Sequence, residues 1–543
     1  MSFEIPSRLA FDRINSHSAQ CACLMVPHSY TLIILHLAIM AARAGSSVAK
    51  GREELRAFSL GRLSLLVLFA TALSACSQTA VGAKTKSTGT INAAAPTVHV
   101  SLAPGARTLS GQFFGYNLDS GTAKAWQTDP ALVQQTADMA PGTLRYPGGA
   151  LSNYWNWTTG WYGTRPSGKN GKYIDPGSYQ FSLQDLKQLV VASGATPIFD
   201  VNIMTATLNS QVAMLRAAQH LGLTVRLIEL GNEFYLSKPD YLHAFPTPLT
   251  YAQRVAAWIP VLHKDFPEAQ IAAVGYAQIL KSTLRESTWN ATVLQTAPGL
   301  QTLTMHVYLH PRNALGVAGS QQTNQVLALP FSQWDLLEQH SLQTLPPNTN
   351  IWITEFNMMN NVTGLNGKLT FPPPQGTWTQ GLFAGTMDLL FLHDPRIAVV
   401  DYHALVGNYG GYGAVNPETG QLSPSGAVQQ LIHRAAASMT FSEPLAFAGG
   451  PMLLGKYPGL VGCIFRNAAG TIDAVVINLS NQAVSLQLPQ LLSKGMVQDE
   501  IQGAPSANKA DELKTRQAHA SNVVALQPYA VTYLHPSSSA NAN

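Results

Sequence analysis

From Gln112 to Tyr402 short, largely apolar runs alternate with amphipathic stretches of helical length, and this rhythm restricts the possible fold more than any other feature. Gln112–Asn117, Thr143–Tyr146, Pro197–Asn202, Arg226–Leu230, Ile271–Val274, Leu303–His306, Ile351–Thr354 and Ala398–Tyr402 read as strands. Between them, Leu183–Ala192, Ser210–Leu221, Thr250–Phe266 and Thr377–Leu392 carry helical spacing. Eight strands with intervening helices over about 300 residues predict an α/β fold, a (β/α)8 TIM barrel, in preference to an open doubly wound sheet. Beyond Ala437 the pattern changes. Ile472–Leu479, Val484–Leu488 and Val523–Leu534 alternate without helical spacers, which predicts a C-terminal all-β sandwich. Val98–Leu102 could add a strand to it. The expected division is a barrel over 97–436, its leading strand available to the sandwich, and a sandwich over 437–535.

The segment ahead of the barrel reads as targeting sequence. Arg52, Arg56 and Arg62 precede an apolar run, Leu63–Ala75, too short to span a bilayer as a mature helix. It ends in Leu73-Ser74-Ala75-Cys76, which resembles the lipobox of bacterial lipoproteins. That resemblance implies cleavage before Cys76 and lipidation of the cysteine; an ordinary secretory signal is the alternative. Residues 1–76 are thus precursor and signal, and the preface upstream of about Met40 points to a misplaced start codon. The Ser/Thr/Ala/Gly-rich stretch 77–96 reads as a flexible tether. An exported protein of the bacterial envelope or periplasm follows, touching membrane only through a lipid anchor. After Cys76 only Cys463 remains, which excludes an internal disulfide or a cysteine metal cluster there and suggests a buried small hydrophobe. Residues 1–75 hold seven Lys/Arg and four Asp/Glu, leaving 26 basic and 25 acidic residues downstream. That balance offers no basic groove for nucleic acid.

Two segments carry the chemistry. Leu227-Ile228-Glu229-Leu230-Gly231-Asn232-Glu233 and Ile351-Trp352-Ile353-Thr354-Glu355-Phe356-Asn357 are strand-like runs that lead to a carboxylate. Catalytic groups of a parallel barrel sit where strands end and loops begin. Glu233 follows the fourth strand and Glu355 the seventh, so both face the barrel mouth. A pair of carboxyls about 5–5.5 Å apart is what retaining cleavage of a glycosidic bond requires; inversion needs a wider gap. His306 and His310 are four apart, but the first is on a strand, so a helical metal pair is not expected. The chemistry calls for no metal or organic cofactor.

Gly231-Asn232-Glu233 and Thr354-Glu355-Phe356-Asn357 resemble the acid/base and nucleophile motifs of the clan A glycoside hydrolases, retaining enzymes built on a (β/α)8 barrel. The resemblance implies that Glu233 is the general acid/base, Glu355 the nucleophile and Asn232 a ligand of the sugar hydroxyl next to the reacting carbon. Leu144-Arg145-Tyr146-Pro147-Gly148-Gly149 with Tyr154-Trp155-Asn156-Trp157 is similar to the second-strand segment of α-L-arabinofuranosidases. Asn202 ends the third strand as in that family. His306-Val307-Tyr308 has its sixth-strand His-x-Tyr spacing, in which the tyrosine hydroxyl contacts the nucleophile. Arg145 either supports Glu355 by charge or is a buried structural arginine. The residues flanking the nucleophile, Thr354 and Phe356, depart from the usual arabinofuranosidase pattern. Gly407-Asn408-Tyr409-Gly410-Gly411-Tyr412-Gly413 is similar to the Gly/Tyr loop of the heparanase and β-glucuronidase family, where it binds a uronate carboxylate; a flexible rim is the alternative.

Trp155, Trp157, Trp161 and Tyr162 offer faces for sugar rings, with about half expected in the core. The substrate-binding set is therefore Asn232, Tyr308, His306, Arg145, Asn202, Trp155 and Tyr409. The function expected is a retaining, exo-acting hydrolase of terminal sugars on plant or cell-surface oligo- or polysaccharide, arabinofuranosidase-like. The alternatives are a β-glucuronidase/heparanase-like hydrolase and a surface lipoprotein that binds glycans without cutting them.

Overall fold

A computed structural model of the protein describes residues 95–537 apart from 119–125, 127–128, 164–179, 280–281, 312–313, 315–316, 360–361, 364–368, 371–373, 408–411 and 494. Cys76, the targeting segment, the tether up to residue 94 and Tyr409 lie outside the described residues.

Eight strands form a closed barrel: β1 Phe114–Asn117, β2 Thr143–Tyr146, β3 Thr196–Asp200, β4 Leu227–Leu230, β5 Gln270–Val274, β6 Thr302–Leu309, β7 Asn350–Met358 and β8 Ile397–His403. Every neighbouring pair is parallel. Each strand is followed by a helix: α1 Pro130–Asp138, α2 Leu183–Ser193, α3 Leu208–His220, α4 Pro248–Asp265, α5 Trp289–Thr296, α6 Gly319–His340, α7 Trp378–Phe391 and α8 Pro424–Ala436. Local sequence sets several of their starts. Ser182 and Asp185 cap α2 reciprocally, and Thr247 and Thr250 do the same for α4. Proline occupies the first turn of α1, α4 and α8, where its missing N–H costs nothing.

The barrel interior is layered because side chains alternate along a strand. Ile198, Leu227, Ala272, Trp352 and Val399 form an apolar plug. Two residues on in β3, β4, β7 and β8 stand Asp200, Glu229, Thr354 and Asp401, with Arg145 of β2 among them. The layer above the plug is thus polar and charged. The outward-facing strand residues, Met305, Val307, Ile353 and Phe356 among them, pack with the helices into the main core.

β7 contains an irregularity on which the site depends. Met305 pairs with Ile353, but His306 pairs with Glu355, so Thr354 is an extra residue in β7. Strict alternation from Trp352 would send Thr354 inward and Glu355 outward. The bulge lets both point inward and returns Phe356 to the outer core.

The C-terminal strands are β9 Phe441–Ala448, β10 Leu460–Arg466, β11 Ile472–Asn478, β12 Val484–Gln487, β13 Met496–Gln502, β14 Lys514–His519, β15 Val523–Leu526 and β16 Ala530–Pro536. The leading strand Thr97–Leu102 lies between β9 and β12, antiparallel to the first and parallel to the second. Val98, Leu445, Ile464, Val476, Leu486 and Leu534 contribute to a core of their own. The alternate residues Val461, Cys463, Phe465, Val475 and Ile477 belong to the barrel's core instead. This second face packs on α7 and α8, which is why α7 is buried along its whole length. A Cβ at Gly385 would lie 2.6 Å from Val428, so glycine there lets α7 and α8 approach.

Candidate active site

Gly231 follows β4 with φ +84°, a conformation that favours glycine, and its Cβ would lie 2.4 Å from the Phe234 ring. The chain then turns over the mouth, and Glu233 itself adopts φ +53°. A left-handed glutamate costs on the order of 1 kcal/mol or more, a conformation held where surrounding contacts over-determine it. Here Asn153 clamps the turn, donating to Asn232 O at 2.9 Å and accepting from Asn232 N at 3.0 Å. One carboxylate oxygen of Glu233, one of Glu355 and a ring nitrogen of His306 lie within 4.8 Å of one another. The separation falls on the narrow side of the two glycosidase geometries.

Glu355 is held at both oxygens. Arg145 Nη1 donates to Oε1 at 2.8 Å, and the Tyr308 hydroxyl donates to Oε2 at 2.5 Å. His306 Nδ1 lies 3.6 Å and His403 Nδ1 3.9 Å from the same Oε2. Glu233 Oε1 meets the Tyr235 hydroxyl and His306 Nδ1, each at 3.2 Å, while Lys238 Nζ stands 3.6 Å from Oε2.

Burial alone would raise both carboxyls. For Glu233 the hydrogen bond with His306 and the charge of Lys238 outweigh it and hold the group well below the usual carboxylate range. For Glu355 the positive fields of His306, His403 and Arg145 outweigh burial and repulsion by Glu233. His306 moves the other way: burial would lower it, but its two carboxylate neighbours raise it. The two carboxyls are therefore lowered together. His306 stands between them, 3.2 Å from Glu233 Oε1 and 3.6 Å from Glu355 Oε2.

Arg145 is fully buried beneath Glu355. Besides Glu355 it contacts Glu229 through Nε at 2.6 Å and Nη2 at 3.1 Å, Asn232 Oδ1 at 2.8 Å and Asp200 at 2.9 Å. Its expected contact with substrate is therefore corrected: all three guanidinium nitrogens are engaged within the protein, and it positions Glu355 and Asn232. Three carboxyls around one cation leave charge uncompensated. Burial accordingly raises Asp200 far above the usual carboxylate range despite the guanidinium.

Asn202 is corrected likewise. Its Nδ2 donates to Trp155 O and Thr205 Oγ1, and its Oδ1 accepts from Thr205 N, so it ties the Trp155 segment to the barrel rim. Trp155 is buried, donates to the Tyr146 hydroxyl at 3.2 Å and packs on Trp161 and Tyr162; it is core and offers no face to a sugar. Trp157, Trp161 and Tyr162 are half-buried. Asn232, His306 and Tyr308 do stand at the carboxylate pair. The Asn232 side-chain amide nitrogen is buried with no hydrogen-bond partner among the described residues, a donor left over once Oδ1 has accepted from Arg145.

Asp200, Glu229, His403, Asn117, Tyr235 and Lys238 were not singled out in the sequence. Asn117 Nδ2 lies 2.8 Å from His403 Nδ1, which links β1 to β8 beside Glu355. Glu229 was within reach of the period-two pattern, two residues after the inward Leu227. The same holds for Asp200, two after Ile198.

Glu233, His306 and Glu355 form the one group among the described residues whose donor atoms converge as metal ligands would. The set does not suit a cation. Arg145 and Lys238 already present positive charge to the two carboxylates, and His306 is hydrogen-bonded to one of them.

No family profile and no characterised sequence matches the chain. Solved structures do. The α-L-arabinofuranosidase of Thermotoga maritima in complex with arabinose aligns over 81% of this chain and 99% of its own at 15% identity, with a TM-score of 0.59. A family 51 α-L-arabinofuranosidase from Bifidobacterium longum aligns over 81% and 99% at 13% identity, TM-score 0.60. A 4-O-α-L-rhamnosyl-β-D-glucuronidase from Fusarium oxysporum 12S aligns over 81% and 100% at 15% identity, TM-score 0.56. The chain thus has the barrel-and-sandwich fold that these glycoside hydrolases share.

Proposed function

We propose that the protein is a retaining, exo-acting glycoside hydrolase that releases terminal sugars from oligo- or polysaccharide, with α-L-arabinofuranoside as the favoured glycone. The observation that carries this reading is the pairing of Glu233 and Glu355, one oxygen of each within 4.8 Å of the other, where β4 and β7 reach the barrel mouth. The arabinofuranosidases of like fold support the choice of sugar.

Glu355, kept ionised by its positive neighbours, attacks the anomeric carbon, and the bond to the leaving oxygen breaks. The leaving oxygen takes its proton from Glu233, which draws on His306 at 3.2 Å. Substrate that excludes water favours the neutral carboxyl on Glu233 and so moves that proton onto it. In the second half Glu233, now a base, takes a proton from water, and the hydroxide formed displaces Glu355 from the sugar. The free Nδ2 of Asn232 suits the hydroxyl beside the reacting carbon, a bond that strengthens in the transition state.

The test is a panel of aryl arabinofuranosides, glucuronides, xylosides and glucosides with the wild type, Glu355→Ala and Glu233→Ala. Turnover of arabinofuranoside is expected, with Glu355→Ala losing nearly all of it. A second reading, action on glucuronides, rests on the rhamnosyl-glucuronidase of like fold, and the glucuronide arm decides it. A glycan-binding protein without catalysis would turn over no glycoside and keep its affinity in both variants.

A further inference from the structure

Lys238 has no part in the double displacement just described, yet it is fixed beside the acid/base. Its ammonium lies 3.6 Å from Glu233 Oε2, outside hydrogen-bonding distance, and its side chain is 34% exposed. It rests over the Tyr241 ring at 4.9 Å. Pro239 follows it, which restricts its backbone to the extended form observed, φ −75° and ψ 142°.

The side of the site it occupies follows from the two oxygens of Glu233. Oε1 faces Tyr235 and His306, and His306 in turn faces Glu355. Oε2, which meets neither Tyr235 nor His306, is the oxygen nearest Lys238. With the anomeric carbon at Glu355 and the leaving oxygen at Glu233, the side of Lys238 is where the leaving sugar sits. A cation there works against a general acid, because it favours the ionised form of Glu233. An anion brought by the substrate would pair with the ammonium and remove that effect. The other ionisable groups facing Glu233 are His306 of β6, Glu355 of β7 and the hydroxyls of Tyr235 and Tyr241. Asp240 nearby is bonded by the Tyr154 hydroxyl at 3.0 Å.

We propose that Lys238 binds a sugar carboxylate on the leaving-group side, so that the natural substrate carries a uronic acid next to the residue released. This deepens the glycosidase reading and rests on it for the word substrate; the binding itself can be measured without turnover. Glu355→Gln protein is titrated calorimetrically with D-galacturonic acid and with its methyl ester. The acid is expected to bind about tenfold more tightly, the scale of one charge-assisted contact. Adding Lys238→Met should bring acid and ester to parity with an unchanged melting temperature, and Lys238→Arg should keep the preference. Equal affinities, no binding of either compound, or a preference that survives Lys238→Met would overturn the proposal. Failure of the glycosidase reading is separate: it would appear as acid-selective, Lys238-dependent binding in a wild type that hydrolyses no glycoside. If hydrolysis is observed, an arabinosyl galacturonate should be cleaved faster than its methyl ester by the wild type, and equally fast by Lys238→Met.

Discussion

Glu355 keeps its charge by means that can be removed one at a time. The Tyr308 hydroxyl at 2.5 Å orients Oε2, and His306 at 3.6 Å contributes field without a hydrogen bond to it. Tyr308→Phe is expected to lower kcat by about 10²-fold with little change in KM, the scale for one donor at a reacting carboxylate. His306→Gln acts on pH dependence instead. Without His306, the pKa of Glu355 rises, so the acidic limb of kcat/KM should move to higher pH. An acidic limb that stays in place would contradict the role given to His306. The residues named from sequence at this scale were those whose motif sits beside a strand end: Asn232, Glu233, His306, Tyr308 and Glu355. Arg145 was visible, but its partners were not. Glu229 is 84 positions away along the chain, and only barrel closure shows that one guanidinium serves Asp200, Glu229 and Glu355 together. Asn202 and Trp155 were misread because a polar or aromatic residue at a rim can serve its neighbours as well as a ligand.

At the scale of elements the bulge in β7 is the feature that alternation alone does not foresee. Strand expectations ended at His306 and Thr354, where polar residues interrupt the apolar run, whereas β6 and β7 continue to Leu309 and Met358. Deleting Thr354 would leave Glu355 inward and Phe356 outward but shorten the strand, drawing Glu355 up to about 3 Å toward Trp352 and away from Arg145 and Tyr308. Activity should fall to background even in the fraction that remains folded by circular dichroism, whereas Thr354→Ala, which removes only a 3.2 Å bond to Glu229, should retain activity within about tenfold. Helices α2, α3, α4 and α7 are legible from spacing, α4 despite Pro260 in its interior, whereas α1, α5, α6 and α8 are not among the helices named from sequence. Helix α8 sets His433 against the barrel. His433 stacks on Phe114 at 5.2 Å, both its ring nitrogens lack hydrogen-bond partners among the described residues, and burial lowers it to about 3. A folded pKa below the unfolded value, near 6.5, gives stability that is present above 6.5 and lost as pH falls toward 3. His433→Phe should therefore flatten the decline in melting temperature across that window, an effect on the order of a few kcal/mol at its acid end.

At the scale of the molecule, the sandwich shares a core with α7 and α8 through one face of β10 and β11, and Trp378 of α7 donates to Tyr529 O at 2.6 Å. This partition is implicit in Ala474–Ile477, an unbroken apolar run that serves both faces, as a strand between two cores must. We also propose that a lipid on Cys76 holds the protein at the envelope through the tether of residues 77–96. In a bacterial host, palmitate labelling of the full chain should be lost in Cys76→Ser while soluble activity is kept. Labelling that persists would exclude Cys76 as the anchor. The central claim concerns the two carboxyls acting on opposite sides of one bond, and the configuration of the first product reports on it most directly. Proton NMR during the first turnovers of an aryl arabinofuranoside should show the released sugar with the anomeric configuration of the substrate, before mutarotation. Release of the opposite anomer would contradict the account.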